Sequence, residues 1–309
     1  MSLNHVQKVL LEAKLRRCSS DAFQTFFSEV MSELHGDDFV AVRAQGRLGD
    51  QGCDGYLFSK NELFQCYGAL NGDARKVKTL IDKMNEDFYK ARTSDIGKPM
   101  KKWFMVHNLV EGLPVEAITA MNKLREDNSH IKFGFIGFEG FIQRIESLPP
   151  ESIERLIGQA ATNKDSLELQ LPELSKLVAA VIDRFDDEIP ILVLELDPVS
   201  VNKLSHNHLP AHWQNLISSG WSNAHLVAQY LDRHQDPLVG EKLATHLNDR
   251  YLYLQSQGLT AASIMNSLYE FITGKGEANV QRQVAAHALL AHFFESCDIF
   301  ENAPLEAKQ

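Results

Sequence analysis

Residues 46–68, GRLGDQGCDGYLFSKNELFQCYG, decide how the first half of the chain reads. Asp54 opens a short apolar run, YLF. The turn SKNE follows, and a second run, LFQCY, places Gln65 and Tyr67 two residues apart. Side chains alternate between the two faces of a strand, so Gln65 and Tyr67 are expected on one face. A carboxylate on one strand and a polar pair on the next, joined by a hairpin, form a plausible grip for a divalent metal against a phosphodiester.

Outward from this hairpin the chain falls into alternating periods. Residues 21–34, DAFQTFFSEVMSEL, carry apolar side chains at 23, 26, 27, 30, 31 and 34, a helical stripe with Ser19, Ser20 or Asp21 as cap. FVAVR (39–43) predicts a strand, as do residues 54–58 and 63–67 of the hairpin. Residues 73–91 predict an amphipathic helix, KWFMV (102–106) a strand, and 114–128 a helix that starts on Pro114. A strand over 131–138 and a helix over 139–147 complete the half. The order α-β-β-β-α-β-α-β, with long crossovers, implies a sheet that is partly parallel. Pro149–Pro150 punctuates the chain, and the remainder is mostly helical in spacing. Helices are expected over 174–185, 198–204, 213–219, 222–234, 237–257, 260–273 and 280–296, with Gly220, Gly258 and Gly274 as stops. IPILVLELDP (189–198) reads as a strand or an extended linker. Two domains are therefore expected, residues 1–148 and 149–309.

Composition sets the class. A hydrophobic fraction of 44% with 23% charged residues is that of a globular protein in water. No apolar run approaches the roughly 18 residues of a membrane span, and the N-terminal residues are too polar for a secretory signal. Cys18, Cys53, Cys66 and Cys297 form no C-x-x-C pair, which argues against a zinc ribbon or disulfide scaffold and fits a reducing cytoplasm. The net charge of -10 is unevenly placed. Residues 1–150 hold 20 basic and 20 acidic side chains, whereas residues 151–309 hold 11 and 21. The second half is thus a poor partner for nucleic acid and a better one for protein. No P-loop, G-x-G-x-x-G or G-x-S-x-G occurs, which argues against an NTPase, a Rossmann enzyme or a serine hydrolase.

The hairpin stretch resembles the core of the PD-(D/E)XK nuclease superfamily, most closely its Mrr-like branch, whose pattern runs G-D-x-G-x-D-G, a strand, then Q-x-K. The resemblance implies a restriction-endonuclease-like mixed sheet. It further implies a site in which Asp54, Gln65 and Tyr67 take the catalytic positions and Asp50, Asp54 and Gln65 hold Mg²⁺ or Mn²⁺ against nucleic acid, with DNA the expected substrate. Two positions depart from it: Tyr67 stands where the pattern has Lys, and Phe23-Gln24 where such proteins usually read F-E. A missing positioned acid–base group costs about 10²–10⁴ in rate. Glu29 is a possible substitute on the same helix, and Arg43, Arg47, Arg75 and Lys78 are possible replacement cations. The stretches DPLVGEKLATHLNDRYLYL (236–254) and ALLAHFFESCDIFENAP (288–304) resemble the helical C-terminal domains of bacterial ABC three-component conflict systems. That resemblance implies an anti-phage or anti-plasmid defence setting, with an ABC-type ATPase and a small middle component as protein partners. The leading expectation is a nuclease effector held inactive until its partners respond. The alternative is a catalytically inactive nuclease-fold subunit that binds nucleic acid or serves as a scaffold.

Bland readings stand beside each of these. Asp54 and Asp50 are also natural turn residues, and Gln65 adds no charge. His206, His208 and His212 have metal-like spacing but no cysteine and a proline among them, so a surface loop is the expectation. Cys66 with His107 evokes a thiol nucleophile, yet a buried strand cysteine is normally inert. The segment 293–300, FFESCDIF, is expected to anchor the helical half.

Overall fold

The computed structural model describes residues 2–43, 51–72, 77–184, 203–274, 276, 278–296 and 299–301. By contact, the chain divides into two units. One comprises Met1–Leu3 with Leu10–Gly158, the other Asn4–Val9 with Gln159–Gln309. Each is described by itself.

The first unit is built on a five-stranded sheet in the order β1-β2-β3-β4-β5: β1 Phe39–Ala41, β2 Gly55–Leu57, β3 Glu62–Tyr67, β4 Lys102–His107 and β5 Lys132–Ile136. The first two pairings are antiparallel, the last two parallel. A tight 3-10 turn over Phe58–Lys60 suffices to join β2 to β3. The parallel pairs need crossovers, which helices α3 (Val77–Thr93) and α4 (Val115–Asp127) supply.

Period-two alternation then sorts the side chains onto two apolar faces. Phe64, Cys66, Val106 and Ile136 pack with Phe23, Phe26 and Phe27 of α2 (Ser20–His35), Phe141 of α5 (Phe138–Ile145), Ile153 of α6 (Pro150–Ile157) and Leu11 and Leu15 of α1 (His5–Arg17). Leu63, Trp103, Met105 and Phe133 pack on the other face with Leu80, Met84 and Phe88 of α3 and Met121 of α4. The fold class expected from the sequence, a mixed α/β sheet followed by a mostly helical half, is the one observed.

The second unit is helical: α7 Leu171–Ile182, α8 Lys203–His206, α9 Ala211–Asp232, α10 Val239–Ser256, α11 Ala261–Thr273 and α12 Val280–Glu295. Thr260 and Asn279 cap α11 and α12 by accepting hydrogen bonds from the backbone N–H of Ser263 and Arg282. One expectation fails here. Gly220 does not stop a helix, because α9 runs through it unbroken. A Cβ at Gly220 would lie 2.2 Å from the backbone oxygen of His287, so glycine lets α9 and α12 approach closely. Phe293, Phe294, Ile299 and Phe300 are buried in this unit's core, which is ordinary core packing. The stretch 189–198 lies outside the described residues. No helix among the described residues is long and apolar enough to cross a membrane.

Candidate functional site

The loop entering β2 is pressed onto α3. Gly52 has φ +72°, and a Cβ there would meet the Asp87 backbone oxygen at 2.1 Å, so this position needs glycine on both counts. Two residues later the ladder changes step. The register pairs Gly55 with Phe64, yet the Asp54 N–H also donates to the Phe64 oxygen at 2.8 Å. Two residues facing one across a strand pair is a β-bulge, a device that re-aims a side chain.

The re-aimed carboxylate of Asp54 is 5% exposed. Its Oδ2 accepts a hydrogen bond from the Cys66 N–H at 2.7 Å, and its Oδ1 one from Gln24 Nε2 at 2.8 Å. Gln24, on α2, donates from the same nitrogen to the Val42 oxygen at 3.1 Å. Asp54 therefore ties α2, the end of β1 and β3 together. It also lines a cleft of about 850 Å³ whose wall includes Asp21, Gln24, Glu29, Glu33 and Arg43. Glu33 is ion-paired with Arg155 and accepts a hydrogen bond from Ser152 at 2.8 Å, and these contacts hold its carboxyl below the usual range.

Gln65 is not part of this wall. It shares its face with Leu63 and, across the parallel register, with Met105, on the α3 and α4 side of the sheet. There its Oε1 is buried with no hydrogen-bond partner among the described residues. Tyr67, on the same face, is half-buried, and burial pushes its phenol above the usual value near 10. Its register partner His107 is held by burial at about 4, so it is neutral at pH 7. The end of β3 thus offers an amide, a phenol and a neutral imidazole, with no charge.

Of the cations proposed from sequence, Arg43 lines the cleft and Lys78 is exposed on α3. Arg47 and Arg75 lie outside the described residues, as does Asp50. Glu29 does reach the cleft. Sequence reasoning overlooked Lys83, whose Nζ pairs with Asp87 at 2.7 Å and whose charge is felt at the Cys66 thiol. It also overlooked Asn108. The side chain of Asn108 donates to the oxygens of Leu15, Cys18 and Ala69 and accepts from the Ala69 N–H, fixing the loop that follows β3. A lone Asn after a strand carries no signal of that role. The thiol reading is set aside: burial pushes the Cys66 thiol well up, and Cys66 and His107 alternate onto opposite faces.

Mg²⁺ takes a near-octahedral shell of oxygens, with one or two carboxylates from protein. Here an N–H meets each oxygen of Asp54, and Gln65 belongs to the other face. No three His, Cys, Asp or Glu side chains are arranged to hold a metal ion among the described residues, the histidines at 206, 208 and 212 included. As arranged, the described side chains do not fit the ion.

Comparison with known families adds information for the helical half. Residues 172–301 match C-terminal domain 10 of the ABC-three component (ABC-3C) systems. The match covers both stretches that carry the resemblance in that half, apart from the last three residues of 288–304, and it supports a component of a multi-component conflict system with protein partners. It includes none of the five-stranded sheet. No curated protein and no solved structure matches the chain.

Proposed function

We propose that this chain is a non-cleaving scaffold subunit of an ABC-3C conflict system. Its helical domain docks the ATPase and the small middle component, and its nuclease-like N-terminal domain is a structural part of the scaffold. The observation that carries this reading is the hydrogen bond from Gln24 to Asp54, which sets an amide donor where a catalytic cation would approach. Tyr67 supports it, because a phenol brings no positive charge to the scissile phosphate. The cleft wall supports it too. Among the described residues, Asp21, Glu29 and Asp54 outnumber Arg43 once Glu33 and Arg155 are paired, and such a wall repels a phosphate backbone.

The test uses the full chain together with its co-expressed partner components, offered DNA and RNA with Mg²⁺ or Mn²⁺. The expected result is assembly without cleavage, and assembly is unchanged in Asp54→Asn. Cleavage that needs a divalent ion and disappears in Asp54→Asn would overturn the proposal.

It would establish instead the metal-dependent nuclease effector that the hairpin resemblance implies. Restoring the superfamily residues, Gln24→Glu with Tyr67→Lys, is expected to raise cleavage above the wild-type level.

A further inference from the structure

The helical unit carries a groove of about 490 Å³ between the start of α7 and the last turns of α9. Leu171, half exposed, and Leu226 and Tyr230, half-buried, give it an apolar floor. Gln229, Arg233 and His234 stand along its rim, and no Asp or Glu lines it among the described residues. The described residues of this half hold 13 acidic and 9 basic side chains, so the lining departs from its surroundings.

The carboxylates nearest in sequence are engaged elsewhere. Glu173 pairs with Lys176 at 2.7 Å. Asp236 pairs with Lys242 at 2.7 Å and accepts from the Leu238 N–H. Asp232 acts electrostatically on His292 of α12. Arg233, by contrast, is exposed, and its guanidinium has no ion pair or side-chain hydrogen bond among the described residues. His234 Nδ1 accepts from the Asp236 N–H at 3.1 Å, which fixes the ring edge-on to Tyr230 at 5.7 Å. An apolar floor with an unpaired guanidinium at its rim is complementary to apolar side chains flanked by carboxylates.

We infer that this groove docks a short amphipathic acidic segment of one of the partner components. The inference rests on the docking role proposed above and assigns it to one surface. Association of the full chain with the purified ATPase and small component is measured by calorimetry. Arg233→Glu combined with Leu226→Ser is expected to weaken association with one component by about tenfold or more, and Arg233→Lys to stay within about threefold of wild type. Wild-type association is expected to weaken as salt is raised, because a rim charge is screened. Unaltered melting of the variants shows that the fold is intact; if the double variant does not fold, Arg233→Gln alone serves. Reversing the carboxylate of the partner segment that crosslinks to the groove is expected to rescue Arg233→Glu. If the wild type binds a component and the groove variants bind it equally well, the groove assignment is wrong while the docking role stands. If the wild type binds neither component, the docking role itself falls, and the groove with it.

Discussion

Asp54 is read from the sequence as a metal ligand, yet the structure gives its carboxylate a hydrogen-bonding role. Asp54→Ala strands the buried Cys66 N–H and removes the acceptor of the half-buried Gln24 amide. Leaving a buried donor unmade costs about 1–3 kcal/mol. The variant is therefore expected to lose roughly 2–4 kcal/mol in urea unfolding. An unchanged midpoint would mean that the bonds are replaced by water. Loss of any activity in this variant is consequently no proof of catalysis, and Asp54→Asn is the better probe. Two buried imidazoles contribute to the acid dependence of stability. His107 is held at about 4 and His287 at about 3, both by burial and both below the ordinary value of 6.5. The unfolded chain thus binds protons that the folded one refuses, so stability is full above pH 6.5 and falls as pH drops toward the folded values. Between pH 6.5 and 4, His107 alone is expected to cost about 3 kcal/mol. His107→Asn should flatten that slope, and an equally steep slope in the variant would assign it to other groups. The identity of Asp54 was legible in the sequence, but its partner was not. Gln24 lies 30 residues away, and only the fold brings the two together.

At the scale of elements, periodicity was a good guide wherever one face is buried. The stripe at 23, 26, 27, 30 and 31 is the buried face of α2, and the hairpin strands lie within a residue of their expected bounds. Alternation misleads at the bulge. Strict period two sets Asp54 beside Gln65, and the extra residue turns it toward α2 instead. Glycine misleads in α9, because close approach and helix termination use the same residue. Gly220→Ala drives a methyl into the His287 carbonyl and is expected to cost about 1–3 kcal/mol, the usual penalty of overpacking. Thermal melting of the helical unit checks this, and a melting temperature equal to or above that of the wild type would show that α9 and α12 can separate freely. Lys203 fastens the same unit. Its buried Nζ donates to the Phe294 oxygen at 2.7 Å, a cation on the last turn of α12. Lys203→Met is expected to loosen α12, read as faster amide exchange in its last turn, and unchanged exchange there would count against that role.

For the molecule as a whole, composition separated an electrically balanced half from an acidic one, and the family match falls within the acidic half. Nothing in the residue pattern signals that the helical unit is discontinuous. Asn4–Val9 belongs to it, and Val9 is fully buried in its core. Deleting residues 1–9 is therefore expected to lower the melting temperature of the helical unit, whereas an unchanged value would show that the core closes without Val9. The same discontinuity bears on how the protein is made. Residues 4–9 leave the ribosome well before the rest of their unit, which begins only at residue 159. At about 5–20 residues per second, some 10–30 s pass before the first helices of that unit emerge. Throughout that interval Val9 has none of its helical core partners, and the helical unit cannot close until its two separated segments meet.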